Sequence, residues 1–235
     1  MRFDSKAQPQ KTSPHRRIIG ITGGIGMGKT TVSSYLVTAH ALSVLDADVI
    51  ARDVVAPGSS VLQKIVDRYG KTLLLPDGHL DRVRLGEIVF NSPPERRWIE
   101  RQIHPHVREC LEQELSSLKL QSEPIVILVV PLLFEARMTD LATEIWVVYC
   151  DFDKQVERLL QRKASAASGQ QYQLQQNQVM ARIKSQMPIE QKLRRADIVL
   201  DNSSEIEHLY RQIDHALMQP PHPVGENISH HSHLN

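Results

Sequence analysis

Apolar residues occur in the chain as short uninterrupted runs that alternate with longer amphipathic segments. Five runs are predicted to be β-strands: residues 16–22, 41–48, 124–130, 144–150 and 196–202. These runs lack the alternation of a half-exposed strand, which favours a sheet that is covered on both faces. Strands of this kind separated by helices indicate a parallel sheet covered by helices on both sides.

The segments between the strands carry the spacing of helices. Helices are predicted over residues 29–39, 59–69, 82–90, 94–103, 105–119, 153–163, 178–186 and 204–218. Pro105 divides two of them, since proline suits the first turn of a helix better than its interior. Residues 75–82, with the sequence LPDGHLDR, are typical of a turn.

Three polar segments contain little that a core would bury. Residues 164–178, ASAASGQQYQLQQNQ, are glutamine-rich and are expected to form a mobile cover. Residues 1–16 and 219–235 are rich in polar residues and proline, so both are predicted to be flexible tails.

Composition narrows the class of protein without naming a function. A chain of 235 residues can bury one full core, and a formal net charge of +1 does not favour a nucleic-acid or membrane partner through bulk charge. The apolar run 125–134 is too short for a bilayer, and the N-terminal residues do not resemble a secretory signal. Two cysteines, Cys110 and Cys150, imply buried thiols rather than a disulfide framework. We therefore expect a cytoplasmic protein.

The strongest motif is GGIGMGKTT, residues 23–31, between a predicted strand and a predicted helix. Gly23, Gly28, Lys29 and Thr30 fit the phosphate-binding loop pattern G-x-x-x-x-G-K-[ST]. Glycines allow successive backbone N–H groups to surround a phosphate, and the following helix adds its positive N-terminal end. The lysine suits the outer phosphates and the threonine hydroxyl suits Mg²⁺. The motif predicts a nucleoside triphosphate site.

Acidic residues near this loop bear on the reaction. The chain lacks the N/T-K-x-D segment of GTPases, and its most apolar strand ends in proline where many ATPases place an acid. Asp46 and Asp48 instead stand at the end of the second predicted strand, and the carboxyl end of that strand shares an edge with the loop. Such a carboxylate suits the positioning of a substrate hydroxyl, although capping of the next helix is an alternative for both residues.

Six blocks of sequence closely resemble the dephospho-CoA kinase family. They are, in order, GITGGIGMGKTTV, LDADVIARDVVAPG, LDRVRLGEIVF, IHPHVR, VVPLLFE and RIKSQMPIEQKLRRADIVLDNS, and the resemblance runs from about Arg17 to Leu217. It implies the α/β fold of P-loop NTPases, with three α/β/α layers and a parallel five-stranded sheet. It also implies a kinase domain over 17–218, with a helical substrate-binding insertion at about 58–120 and a lid at about 163–190.

The resemblance implies ATP-dependent phosphorylation of the ribose 3′-hydroxyl of dephospho-CoA, the last step of coenzyme A biosynthesis. By the same resemblance Asp48 orients or deprotonates the hydroxyl, Lys29 is catalytic and Thr30 binds the metal. The residues implied to bind ATP are Gly24, Gly26, Met27, Gly28, Lys29, Thr30, Thr31 and Arg162. Those implied to bind the acceptor are Asp48, Arg52, His104 and Glu135.

Alternatives stay open at several of these positions. The alternative for Arg52 is a surface arginine, that for His104 is a helix cap, and that for Glu135 is a solvated loop acid. Further lid candidates are Arg182 and Arg195, and Asp201 and Asn202 fall where the family forms its adenine pocket. Met27 and Thr30 stand where serines are more usual, and the glutamine-rich segment does not match the usual lid closely.

Two other functions compete with this interpretation. A nucleoside or nucleotide kinase of the same architecture would phosphorylate an acceptor without the pantetheine arm. A nucleotide-binding regulatory module would bind ATP without transferring phosphate, and would need no acid beside the loop. For the kinase we expect ATP and Mg²⁺ as cofactors, a small-molecule substrate, no nucleic-acid or membrane partner, and a monomer or small homo-oligomer.

Overall fold

A computed structural model of the protein describes residues 16–118, 123–161 and 169–220. Within these residues five parallel strands form one sheet in the order β2-β3-β1-β4-β5. The strands are β1 (Arg17–Gly23), β2 (Ser43–Asp46), β3 (Ile125–Val129), β4 (Glu144–Tyr149) and β5 (Ile198–Asp201). The predicted parallel five-stranded sheet is confirmed. Its order places β1, which leads into the glycine loop, at the centre.

Helices connect the strands and cover both faces of the sheet. They are α1 (Lys29–His40), α2 (Ala47–Asp53), α3 (Ser60–Tyr69), α4 (Arg82–Asn91), α5 (Pro93–Ser117), α6 (Phe152–Gln161), α7 (Gly169–Lys184), α8 (Ile189–Leu193) and α9 (Ile206–Met218). Among the described residues, two short 3₁₀ turns, Lys71–Leu73 and Thr139–Leu141, lie between them.

Alternate residues of the strands point to two separate apolar cores. On one face Ile19 and Ile21 of β1 pack with side chains of α1 and α9, such as Leu36 and Ile213. On the other face Leu128 of β3 packs with side chains of α2 and α5. This division follows from the two-residue period of a strand, and it produces the three layers expected from the sequence.

A third apolar cluster lies away from the sheet. It joins α3, α4 and the first half of α5, and its buried residues are Val55, Val61, Leu62, Ile65, Leu73, Leu80, Leu85 and Ile99. The cluster falls almost entirely within the segment 58–120, for which a helical insertion is predicted. The predicted tails, 1–16 and 219–235, lie almost wholly outside the described residues. Within those residues, no helix combines the length and apolar character that crossing a membrane requires.

The prediction of two helices divided at Pro105 is wrong, because α5 runs without interruption from Pro93 to Ser117. Proline inside a helix removes one hydrogen bond and crowds the preceding turn, at a cost of about 3 kcal/mol. The helix nevertheless continues, since it is buried on both sides of that position. Ile99 belongs to the third cluster and Val107 to the core on the sheet.

The glutamine-rich segment also differs from expectation. The structure begins α7 at Gly169, whereas the sequence pattern predicts a helix only from residue 178. Glutamine is a good helix former, so a run of glutamines extends a neighbouring helix even though it offers little apolar surface. Residues 162–168, which include Arg162, lie outside the described residues.

Both cysteines are free thiols, as the sequence predicts. Cys150 is buried at the end of β4, whereas Cys110 on α5 is half-buried rather than buried. The expectation of two buried thiols is therefore correct for one of them.

An ionic cluster fastens α3 to the start of α5. The Nε and Nη2 atoms of Arg68 donate to the two carboxylate oxygens of Glu95, at 2.8 and 2.9 Å, and the Tyr69 hydroxyl donates to the same carboxylate. The guanidinium also lies over the Trp98 ring, 4.6 Å from its centroid. First Arg68 and then Tyr69 lower the pKa of Glu95 from about 4.5 to about 2.

This lowered pKa gives a stability contribution that depends on pH. Since the folded protein holds the Glu95 carboxylate ionised down to lower pH than the unfolded chain does, the contribution is complete above pH 4.5 and is lost as pH falls towards 2. We expect Glu95→Gln to be less stable than the parent at pH 7, with a difference that shrinks between pH 5 and pH 3. Urea unfolding at several pH values measures this difference.

The matched control is Glu114→Gln, which changes an exposed glutamate on the same helix. Its unfolding curve should follow that of the parent at each pH. A Glu95→Gln deficit that is the same at pH 7 and pH 3 would contradict the ionic account of the cluster.

Candidate active site

The glycine loop joins β1 to α1 at the carboxyl edge of the sheet. Gly28 is the residue before α1 and has φ of 103°, a left-handed conformation that side chains disfavour. A Cβ atom at this position would lie 2.1 Å from Nδ2 of Asn202. That amide instead donates to the Met27 carbonyl at 2.9 Å. Glycine is therefore required at residue 28 for both its conformation and its close neighbour.

The same requirement holds at the start of the loop. Gly23 has φ of 145°, and a Cβ atom there would lie 2.3 Å from the carbonyl oxygen of Val148 in β4. At both ends the missing side chain faces the supporting protein. The glycines thus seat the loop tightly on β4 and on the residues that follow β5, in addition to freeing its backbone amides.

The remaining loop residues lie where the motif requires. The Lys29 ammonium donates to the carbonyls of Gly23 and Gly24, at 3.0 and 2.9 Å, so it reaches back across the loop. The hydroxyl-bearing Thr30 is exposed in the first turn of α1 and Thr31 is half-buried. Met27 is buried, and its sulfur accepts from the Gly24 N–H at 3.2 Å. Methionine therefore anchors the loop from inside.

The two acids after β2 take different places. The carboxylate of Asp46 accepts from the backbone N–H of Asp48 at 2.8 Å and caps α2. Capping is thus the structural role of Asp46, and it ends β2 two residues before the predicted boundary. Asp48 lies in the first turn of α2 and is not the cap.

Asp48 lies among charged groups. The residue reaches solvent, yet the surrounding protein removes part of its hydration, which raises the pKa of its carboxyl, and the charge on Asp46 raises that pKa further. Three cations oppose the rise: Lys29, Arg52 and Arg82. The structure therefore places Asp48 close enough to the loop lysine for the charge of Lys29 to lower the pKa of the carboxyl.

Arg82 was not identified from the sequence. It is the first residue of α4, where Asp81 caps the helix, and its guanidinium donates to the Arg52 carbonyl at 3.5 Å. Burial is the main cause that lowers its pKa, the charge on Arg52 lowers it further, and Asp48 opposes this. The block LDRVRLG contained the residue, but only the approach of α4 to α2 places it beside Arg52. Two neighbouring guanidinium groups beside an acid suit an anionic ligand.

His104 lies in the middle of α5, so the helix-cap alternative is wrong. The helix packs against α2, which carries Asp48 and Arg52. Burial lowers the pKa of His104, although Glu100 opposes this shift, so the imidazole is neutral at pH 7. A neutral imidazole offers one donor and one acceptor.

Glu135 is not a solvated loop acid. Its carboxylate pairs with the Lys192 ammonium at 2.9 Å and accepts from the Met187 N–H at 3.0 Å. The Lys192 side chain is fully buried and also donates to the Pro131 carbonyl at 3.1 Å. In the structure Glu135 therefore joins the loop after β3 to the segment after α7.

A cavity of about 410 Å³ opens beside the glycine loop. Its lining residues are Gly26, Gly28, Thr31, Arg158, Gln161, Asn202 and Ile206. Arg158 Nη2 donates to the Asn202 carbonyl at 3.1 Å, which ties α6 to the end of β5. The cavity thus combines a polar wall with the aliphatic side of Ile206, next to the loop.

The lid arginines are dispersed. Arg182 is exposed on α7, and Arg195 is exposed with its guanidinium 5.6 Å from the centroid of the Phe134 ring. Arg162 lies outside the described residues. No contact joins Arg182 or Arg195 to the glycine loop within the described part of the chain.

A phosphate-binding loop at the end of the central strand of a parallel sheet, with an acid within range of the charge of its lysine, defines the class of P-loop kinases. Residues 17–208 match the family described as dephospho-CoA kinase. The chain belongs to the dephospho-CoA kinase family.

Relatives of known family match this chain over almost the whole of their own length. A dephospho-CoA kinase of Trichormus variabilis is 49% identical over 202 residues, covering 86% of this chain and 97% of its own. That of Gloeobacter violaceus is 46% identical over 205 residues, covering 87% and 93%.

Solved structures share the fold. TT1252 from Thermus thermophilus superposes with a TM-score of 0.68 at 33% identity, covering 86% of this chain and 97% of that one. A dephospho-CoA kinase from Campylobacter jejuni gives a TM-score of 0.60 at 22% identity, covering 86% and 96%.

Proposed function

We propose that the protein transfers the γ-phosphate of ATP to the ribose 3′-hydroxyl of dephospho-CoA, yielding coenzyme A and ADP in the last step of coenzyme A biosynthesis. Membership of the family supports this reaction. The observation that carries it is that the charges of Lys29 in the glycine loop, Arg52 and Arg82 all act on the Asp48 carboxyl and lower its pKa. This arrangement holds an acid, a phosphate-binding cation and an anion site together.

On this proposal the glycine loop binds the triphosphate of ATP. The residues that contact it are Gly24, Gly26, Met27, Gly28, Lys29, Thr30 and Thr31, with Arg162 as a further candidate from the lid. The cavity beside the loop takes the adenosine, since its volume and its Arg158, Asn202 and Ile206 lining suit a nucleoside. Thr30 fits a Mg²⁺ ligand, because its side chain is exposed at the loop and this ion takes few protein ligands besides phosphate oxygens.

The acceptor lies on the other side of the loop. Arg52 and Arg82 bind the diphosphate of dephospho-CoA, and Asp48 accepts a hydrogen bond from the ribose 3′-hydroxyl. His104 contributes a neutral donor or acceptor to the same side. Glu135 acts indirectly, by holding the segment after α7 through Lys192.

Phosphoryl transfer then needs little covalent chemistry from the protein. As the bond between the 3′-oxygen and the γ-phosphorus forms, the bond to the β,γ-bridging oxygen breaks and the electrons leave with ADP. Lys29 stabilises the charge on the transferred group. Asp48 aims the hydroxyl and receives its proton late, because a carboxylate is a weak base towards an alcohol.

One assay separates this function from the two competing ones. The protein is incubated with ATP, Mg²⁺ and either dephospho-CoA or an adenosine nucleotide lacking the pantetheine arm, and products are identified by mass. We expect coenzyme A and ADP from dephospho-CoA. Product only from the shorter acceptor would indicate a nucleotide kinase, and ATP binding without any product would indicate a regulatory module.

Since both substrates are water-soluble, we propose a cytoplasmic enzyme that acts as a monomer or small homo-oligomer. Sedimentation measures the oligomeric state.

Arg82 offers a test of the acceptor site. Charged hydrogen bonds contribute about 1.5–3 kcal/mol, so Arg82→Ala is expected to raise KM for dephospho-CoA roughly 10-fold to 100-fold. KM for ATP should change less than about twofold, because the glycine loop is untouched. Initial rates with each substrate varied in turn measure both constants.

The control is Arg84→Ala, which removes an arginine on the same helix that donates to the Thr72 carbonyl. It should leave both constants near those of the parent. An Arg82→Ala variant with an unchanged KM for dephospho-CoA would remove Arg82 from the acceptor site.

A further inference from the structure

Both backbone groups of Ile25, in the middle of the glycine loop, are held by glutamine side chains. Its N–H donates to Oε1 of Gln186 at 2.8 Å, and its carbonyl accepts from Nε2 of Gln155 at 2.7 Å. Gln155 is buried on α6, and Gln186 lies in the segment between α7 and α8. The two peptide groups that flank the Ile25 Cα are thus held by two elements that are distant in sequence.

The segment that carries Gln186 is itself anchored. The next residue, Met187, donates its N–H to Glu135, and the buried Lys192 ammonium contacts both Glu135 and the Pro131 carbonyl. The Pro131 carbonyl also accepts from the Thr22 hydroxyl at the end of β1. Residues 186–192 are therefore held by hydrogen bonds near the ends of β1 and β3, so the backbone that carries the Gln186 side chain is fixed in position.

We propose that Gln186 is a positioning residue for phosphoryl transfer, which holds the Ile25 amide and so sets the shape of the glycine loop before ATP binds. This inference rests on the function proposed above. Gln186 acts through the loop backbone. It also joins the loop to the segment between α7 and α8, which falls within the predicted lid segment at about 163–190.

The advantage of such a contact is preorganisation. A loop that lacks side chains at Gly24 and Gly26 has many accessible conformations, and each must be lost when amides converge on a phosphate. Fixing one peptide through a side chain removes part of that entropy cost from ATP binding. A neutral amide suits the position, because a carboxylate with the same reach would place negative charge beside the triphosphate.

The test compares Gln186→Ala with Gln191→Ala, the same change at an exposed glutamine on α8. A hydrogen bond of ordinary strength predicts that Gln186→Ala raises KM for ATP about threefold to tenfold, with KM for dephospho-CoA within about twofold. Hydrogen–deuterium exchange of peptides covering residues 20–30 should become faster in this variant and stay unchanged in Gln191→Ala.

Gln186→Glu supplies the rescue, since it keeps an oxygen acceptor at the same distance. Exchange in residues 20–30 should return to the parent rate, while KM for ATP stays raised because of the added charge. If Gln186→Ala does not fold, the exchange of Gln186→Glu decides the question: fast exchange there contradicts the proposal.

Two outcomes overturn the inference while leaving the reaction intact. The first is an active parent whose Gln186→Ala and Gln191→Ala variants have the same KM for ATP and the same loop exchange. The second is a lower kcat and melting temperature with both KM values unchanged, which would assign a purely structural role. A parent protein that makes no coenzyme A contradicts the proposed function instead, and the loop exchange still tests the contact with Ile25.

Discussion

Replacing Asp48 with asparagine is expected to lower kcat for coenzyme A formation at least ~100-fold, the scale of a positioned acid–base group. Asparagine is nearly isosteric, so the fold and the cap on α2 should persist. It still offers a carbonyl oxygen to the hydroxyl but lacks the charge that aligns the hydroxyl and accepts its proton. ATP affinity should stay within about twofold, since Lys29 keeps its hydrogen bonds to the Gly23 and Gly24 carbonyls in the loop.

The measurement pairs single-turnover product formation with the dissociation constant for ATP. Asp53→Asn is the matched control, because it neutralises an exposed acid on the same helix. That variant should retain the parent kcat. An Asp48→Asn enzyme that turns over at the parent rate would exclude Asp48 from the reaction.

The pH profile gives a second view of the same carboxyl. Because the pKa of Asp48 is raised, the acidic limb of kcat/KM should lie above the value of about 3.9 for an ordinary aspartate. Asp46→Asn preserves an acceptor for the cap and removes a neighbouring negative charge, so the limb should move to lower pH. Arg82→Ala removes an opposing positive charge, so the limb should move to higher pH. Shifts in the same direction would contradict this electrostatic description.

The largest effect on stability is expected at Arg17. Its Nε donates to the Glu144 carboxylate at 2.7 Å, and its Nη atoms donate to the carbonyls of Leu217 and Ala216 at 2.8 and 3.0 Å. Arg17 is 6% exposed and the Glu144 side chain is fully buried. Arg17→Met would leave a buried carboxylate and two helix-end carbonyls without donors, so the free energy of unfolding should fall by about 3–5 kcal/mol.

Urea denaturation measures this loss, and Arg211→Met, at an exposed arginine of α9, serves as control. The double variant Arg17→Met with Glu144→Leu should recover part of the stability, since it removes the stranded charge. A loss below about 1 kcal/mol for Arg17→Met would show that the pair contributes no more than a surface ion pair.

Local sequence was sufficient for features that depend on short patterns. The five strands and the glycine loop follow from residue type and spacing. The family resemblance extended this to the class of fold and to the reaction. Burial on both faces constrains a segment to a strand, and the offset between Gly28 and Thr30 constrains a segment to a phosphate-binding loop. Neighbouring residues are therefore enough to predict each of these conformations.

The boundaries of the helices were harder to predict from the sequence, because tertiary contacts decide where a helix ends. Pro105 is a strong local signal for a break, but Ile99 and Val107 are buried in different clusters and keep α5 continuous. Similarly, Asp46 ends β2 by capping α2. The sequence allows either Asp46 or Asp48 to be the cap, so it does not by itself give the end of the strand.

Residues that act across the fold were missed for another reason. Arg82 approaches Asp48 only because α4 packs on the third cluster, and Gln186 meets Ile25 from 161 positions away along the chain. Glu135 was singled out for a pocket, yet its observed partner is the buried Lys192, which no short pattern indicates. Contacts of this range require the three-dimensional arrangement.

The strand order has a consequence for inhibitor design. The cavity proposed for the nucleoside lies by β4 and β5 on one flank of the central strand, whereas Asp48 and Arg52 follow β2 on the opposite flank. A compound built from two adenosine-like ends and a polyphosphate bridge would have to straddle β1 to engage both. Chemical changes at the end that binds beside Asp48 and Arg52 could then alter selectivity for the acceptor site. The affinity of the other end for the cavity on the donor side would be kept.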